Sequence, residues 1–211
     1  MEPTSKLAFF TTTFVSLFII MDPIGNLPFF LLFTDHCTRR EQIRIAAEAA
    51  FASAVILILF VWGGDAILNF FDISIPAFQI AGGFIFFLYA LQMLQLLPTG
   101  MKTSAQEEEE SLSRENVALV PIATPLLAGP GAITAVLVWR HSYTGGSYSW
   151  LIILATVLVC CTIFLTFSFG TYIRKTLGLS GIKVLSRIMG LLLAVLAVQF
   201  MVNGFVGIVS G

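Results

Sequence analysis

Six stretches of this sequence are apolar over about the twenty residues that a helix needs to cross a 30 Å hydrocarbon layer. They run from Leu7 to about Phe33, from about Ile45 to Trp62, from Pro76 to Leu97, from Val117 to Trp139, from Trp150 to Tyr172 and from Val184 to Val209. Each reads as a transmembrane helix, so the expected fold is all-α and polytopic, with six spans. The first run carries on through Asp22-Pro23 without a small-residue cleavage site, which makes it a span and not a removable signal.

Composition agrees. Of the 211 residues 57% are hydrophobic and 11% charged, where soluble domains hold about 45–50% and 25%. A chain of this size cannot build a core large enough to hide so much apolar surface from water, and the lipid bilayer is its expected solvent and partner. Eleven Lys and Arg against twelve Asp and Glu give a net charge of −1, which offers no basic surface to a phosphate backbone and excludes nucleic acid. Three cysteines, two of them adjacent at Cys160 and Cys161 within an apolar run, make no disulfide framework and read as small core hydrophobes.

Residues 99–116 carry the run Glu107 to Glu110 and cannot fold by burial. This acidic linker divides the chain into a first unit, residues 1–98, and a second, residues 117–211, which together form one transmembrane domain. Positive charge near the span ends sets the orientation. Arg39, Arg40, Arg44, Lys102, Arg114, Arg174, Lys175, Lys183 and Arg187 fall on one side, and Lys6 and Arg140 on the other. The first group is expected to be cytoplasmic and both termini periplasmic, with Trp139, Tyr143, Tyr148 and Trp150 at the outer interface.

The halves echo each other. The first span holds Asp22-Pro23-Ile24-Gly25-Asn26-Leu27-Pro28 and the fourth Pro125-Leu126-Leu127-Ala128-Gly129-Pro130-Gly131-Ala132, both close to mid-span. Gly82 follows Pro23 by 59 residues, and Gly190 follows Pro130 by 60. A duplicated three-helix unit explains the spacing. Because three is odd, the second copy must enter from the opposite face, giving the inverted repeat that many secondary transporters share.

A helix cannot run unperturbed through Pro23 or Pro130, and irregular backbone at membrane depth survives only against protein or a water-filled cavity. Helices one and four are therefore expected to be interrupted near the midplane, with the breaks facing each other. Asp22-Pro23 reads as an N-cap with proline at the first helical position, and Gly129-Pro130 as a weaker version of that signal. Two half-helix starts with unpaired N–H groups then meet, a geometry that suits anions. Asp22 adds a carboxylate at one break, while Gly129 leaves the amides of Gly131 to Ile133 bare at the other. A small solute with an ammonium and a carboxylate fits that asymmetry.

The candidate substrate-binding residues are Asp22, Gly25, Asn26, Gly129, Pro130 and Gly131. Asp22 is the only ionisable side chain deep in the first span, where a charge costs about 2.5–3.5 kcal/mol; it caps a half-helix, binds substrate, or does both. Asn26 either lines a cavity or satisfies local backbone. Thr124 and Thr134 are expected to bond back to their own helix, and Glu48 to pair with Arg44. Gln79, Gln92, Gln199 and Asn203 read as interhelical hydrogen-bond glue, and Gly82, Gly83 and Gly190 as close-packing sites.

Together these residues resemble the MarC family of polytopic bacterial inner-membrane proteins, most closely its YchE/YhgN-like branch. The two interrupted segments carry the resemblance, with Ile80-Ala81-Gly82-Gly83 and Ser186-Arg187-Ile188-Met189-Gly190-Leu191, and it covers essentially the whole chain. It implies a location in the bacterial inner membrane. Through a related archaeal group, the Snat transporters, it also implies carriage of small neutral amino acids such as glycine and alanine, at Asp22, Asn26, Gly129, Pro130 and Gly131.

The expected function is therefore a secondary transporter of a small zwitterion, working by alternating access, with coupling to protons or sodium as a further expectation. A membrane channel or a non-transporting scaffold is the alternative. The sequence has no Gly-x-x-x-x-Gly-Lys-Ser/Thr loop for ATP. Asp22 has no second carboxylate at its depth, and His36 and His141 fall on opposite sides of the membrane, so no enzyme is expected, and no cofactor or metal.

Overall fold

A computed structural model describes residues 5–96, 127–142 and 146–210. The acidic linker, the first part of the fourth span with Thr124, and Tyr143 lie outside the described residues. Within them the chain is all helical: α1 Lys6–Met21, α2 Leu27–Phe33, α3 Arg39–Phe70, α4 Ile75–Met93, α5 Pro130–Ser142, α6 Gly146–Ser168 and α7 Gly170–Ser210. Among the described residues four segments are long and apolar enough to cross a membrane, Arg39–Phe70, Ile75–Met93, Tyr148–Ser168 and Ser180–Val209.

Local chemistry explains the helix starts. Ser5 and Ser74 each accept the N–H of the residue three positions on, Ala8 and Ala77. Thr38 and Glu41 form a reciprocal capping box at the head of α3, which satisfies two of the N–H groups that a helix start leaves over. Thr134 donates to the Pro130 carbonyl at 2.8 Å, as expected for a threonine in a membrane helix, and Arg44 pairs with Glu48 at 2.7 Å.

Two boundaries differ from the sequence reading. The second span continues past Trp62 through Gly63-Gly64 to Phe70. Gly64 gives Leu137 of α5 its place, since a methyl there would lie 1.7 Å from Leu137 Cδ2, and the extra turns carry Asp65 to within 3.9 Å of both Arg140 and His141. The sixth span is preceded by a further segment, and α7 changes direction at Gly178, whose φ of 65° suits glycine.

The closest helix pair is α4 with α7, which run antiparallel. A methyl at Gly83 would lie 2.8 Å from the Ala197 carbonyl, one at Gly190 3.3 Å from the Ala90 carbonyl, and one at Gly204 2.6 Å from the Pro76 carbonyl. In lipid, where apolar surface is no driving force, such backbone approach supplies the packing energy. At one end Arg187 Nη2 donates to Gln95 Oε1 at 2.6 Å. Gln199 and Asn203, expected to bond between helices, instead bond each other at 2.7 Å along α7, because one helical turn brings them side by side. The other principal contacts are α3 with α6, α1 with α6, α3 with α5 and α4 with α5. Leu191, Val195, Val198, Val202 and Phe205 of α7 face outward, where lipid receives them.

Candidate functional site

α1 ends where the sequence places the first interruption. Asp22 adopts a left-handed conformation, φ 36° and ψ 73°, and its N–H donates to the Phe18 carbonyl. Aspartate is one of the few non-glycine residues that visit this region readily. The Asp22 side chain folds back over the following turn, its Oδ1 accepting the Gly25 N–H at 3.0 Å. The Asn26 N–H donates to the Asp22 carbonyl at 3.1 Å, and the Leu27 N–H to the Ile24 carbonyl at 3.2 Å. Residues 22–26 are thus a self-contained turn between two half-helices.

This corrects the assignment of Asp22-Pro23 as the start of the second half-helix. α2 begins at Leu27, with Pro28 in its first turn, and Asp22 closes α1. The side-chain acceptor that would cap a helix at Pro23 serves the turn instead, and the chain needs the intervening residues to redirect itself.

Asn26 satisfies backbone. Its Nδ2 donates to the Met21 carbonyl at 2.9 Å, one of the acceptors that the end of α1 leaves over. Asn26→Ala is expected to lower the stability of the purified protein by about 1 kcal/mol, read as a fall in unfolding temperature in detergent. A variant as stable as the wild type would show that water replaces the amide there.

The second interruption is visible from Leu127. Gly129 and Gly131 are buried and Pro130 is exposed, so the proline sets where α5 starts while the glycines face the interior. The Ile133 N–H donates to the Gly129 carbonyl at 3.1 Å. Among the described residues, the amides at this helix start that find no acceptor are therefore those of Gly131 and Ala132, one fewer than the sequence suggests.

The start of α5 lies beside the last turn of α1. A methyl at Gly131 would lie 2.5 Å from Phe86 Cε1 of α4 and 3.7 Å from Ile20 Cγ2, in the last turn of α1. The start of α5 is therefore level with the end of α1, two residues before Asp22. Asp22 itself is 6% exposed, and the Gly25 N–H is the one hydrogen bond its carboxylate accepts among the described residues. A carboxylate so buried leaves lone pairs that want donors.

Sequence reasoning missed Ser186. A methyl at Gly25 would lie 1.7 Å from Asp22 Oδ2 and 3.2 Å from Ser186 Oγ, so α7 brings a hydroxyl to the edge of the Asp22 turn. The serine stands in a segment noted for its glycine, and only the tertiary pairing of α2 with α7 reveals its neighbour. Thr13, nine residues before Asp22 on α1, is fully buried, and its hydroxyl has no hydrogen-bond partner among the described residues.

The profile of the MarC family integral membrane proteins matches residues 7–209. A UPF0056 membrane protein of Aquifex aeolicus is 38% identical over 195 residues, covering 92% of this chain and 91% of its own. The UPF0056 membrane protein YhcE of Escherichia coli is 36% identical over 200 residues, 94% and 92% of the two chains. YvbG of Bacillus subtilis is 33% identical over 201 residues, 95% of each. No solved structure matches. With a match that runs from the first turn of α1 to the last turn of α7, the chain belongs to the MarC family of integral membrane proteins.

Proposed function

We propose that this protein is a secondary transporter of a small zwitterionic solute such as a neutral amino acid, carried by alternating access between two three-helix units. The observation that carries the reading is the buried Asp22 carboxylate on a helix break, level with the bare amides at the start of α5. The carboxylate takes the ammonium of the solute and the α5 amides take its carboxylate. Glycine and alanine are the substrates that the resemblance to the Snat carriers implies, and a proton or sodium gradient is the driving force that fits a chain without a nucleotide loop.

Helix pairing supports the two-unit division. With α1 and α2 as one span, the contacts of α1 with α6 mirror those of α5 with α3. The α4–α7 and α3–α6 pairs each join equivalent helices of the two units, as a two-fold axis in the membrane plane requires. Residues 1–98 and 117–211 are then the moving bodies, with residues 99–116 the cytoplasmic tether. Both termini lie in the periplasm of a cell bounded by an inner membrane, following the placement of the arginines.

The test is reconstitution of the purified protein into proteoliposomes. Saturable uptake of glycine or L-alanine that accelerates against preloaded solute supports a carrier. Unitary conductance in a planar bilayer would make the protein a channel and overturn the reading. A thermal screen gives an independent measure, since a solute at a hundred times its Kd stabilises the native state by about 2.7 kcal/mol. The expected result is a rise in unfolding temperature with glycine or L-alanine that glycerol does not produce.

A further inference from the structure

A cleft of about 310 Å³ opens between α2 and α7, lined by Pro28, Leu31, Leu32 and Asp35 on one side and Arg174 and Ile182 on the other. We infer that this cleft is a binding site outward of Asp22 on the cytoplasmic side, taken by the zwitterion as it moves to or from Asp22, with Arg174 holding the carboxylate and Asp35 the ammonium. The inference rests on the transporter reading above and adds to it a second site and an access route.

The first support is charge. Asp35 and Arg174 border one cleft, yet neither takes part in the ion pairs found among the described residues, which join Arg44 to Glu48 and Asp65 to Arg140 and His141. Opposite charges that share a cleft without closing on each other match a molecule that carries both. Arginine offers a planar fork for a carboxylate, and the leucines and proline between the charges leave room for a small apolar side chain.

The second support is continuity. Pro28 is three residues beyond Gly25, so the α2 wall of the cleft leads straight into the Asp22 turn. Ile182 is one helical turn before Ser186, whose hydroxyl lies 3.2 Å from the position of a Gly25 methyl. The two walls converge on the carboxylate, and Ser186 is the polar group between the outer site and the inner one. The Gly178 kink places the Arg174 arm. Residues 170–177 leave the axis of the span and lean on α2, where a methyl at Gly170 would lie 2.6 Å from Leu27 Cδ1.

Two measurements on the full-length protein test this. Initial rates of L-alanine uptake into proteoliposomes are expected to show a half-saturation concentration about fivefold higher in D35N and in R174Q, with the maximal rate within about twofold of wild type. R174K recovers part of the loss, and Lys175→Gln, outside the cleft, recovers the wild-type value. Unchanged half-saturation in both D35N and R174Q overturns the outer site while leaving a saturable carrier intact. The second measurement does not need transport. In a Cys37→Ser background, Leu32→Cys is labelled with a membrane-impermeant maleimide, with and without L-alanine. Slower labelling with L-alanine that persists in D22N supports a site separate from Asp22, and labelling indifferent to L-alanine overturns it. Absence of saturable flux in the wild type would overturn the transporter reading instead, so the two failures are distinguishable.

Discussion

Gly83→Leu is expected to unfold at least about 10 °C below the wild type in detergent, or to fail to accumulate as folded protein. A side chain at Gly83 meets the Ala197 carbonyl at 2.8 Å, the Met201 N at 3.0 Å and Met201 Cγ at 2.7 Å. Two of those atoms are α7 backbone, and no rotamer change relieves a backbone clash. α4 and α7 must separate, and because the pair is held along its length by Gly83, Gly190 and Gly204, loss of one contact loosens its neighbours. Overpacking costs about 1–3 kcal/mol even where side chains can adjust. Here they cannot, and about 3 kcal/mol or more is about 10 °C for a chain of this size. Gly63→Ala is the comparison: a methyl there meets nothing within 4 Å, and alanine improves helix propensity by about 1 kcal/mol. It should unfold at or above the wild-type temperature. A Gly83→Leu protein that melts within about 2 °C of wild type would show that the helices do not touch at these glycines.

Much of this architecture is legible in the sequence because lipid imposes simple rules. An apolar run of sufficient length reads as a helix, and proline and glycine at mid-span read as an interruption. The break at Asp22, the Thr134 back-bond, the Arg44–Glu48 pair and the close-packing role of Gly83 and Gly190 follow from such local chemistry. The features that differ from the sequence expectation share another property. Asp22 has the side chain of an N-cap but also tolerates a left-handed backbone, and its own sequence cannot say which use wins; the answer depends on where α2 can begin. Gly63-Gly64 resembles a helix end, and only the packing of Leu137 on Gly64 shows why the helix continues. Gln199 and Asn203 have the chemistry to reach across helices, yet their spacing of four already offers each a partner in the other. Ser186 and the Asp35–Arg174 cleft required the pairing of α2 with α7, residues well over a hundred positions apart. Local chemistry writes the elements into the sequence, whereas register between distant helices is visible in three dimensions alone.

Asp22→Asn is expected to reduce L-alanine uptake by about 100-fold while leaving the fold in place. The substitution separates the structural role of the residue from the proposed binding role. Asparagine keeps the oxygen that accepts the Gly25 N–H, at 3.0 Å in the wild type, and of all non-glycine residues it is among the best suited to the φ of 36° at this position. The turn over residues 22–26 and the end of α1 therefore survive. What disappears is the negative charge that would face a substrate ammonium in a buried site, and removing one partner of a buried ion pair costs about 3 kcal/mol or more, which is about 100-fold in affinity or rate. Asp22→Ala loses both the charge and the acceptor and should lower stability as well, by about 1–3 kcal/mol. Gly25→Ala supplies the converse case, because its methyl would lie 1.7 Å from Asp22 Oδ2 and must push the carboxylate aside without removing its charge. Uptake should fall in that variant too, because position matters as well as charge. If Asp22→Asn transports at the wild-type rate, the carboxylate serves only to close α1, and the substrate ammonium must be held elsewhere.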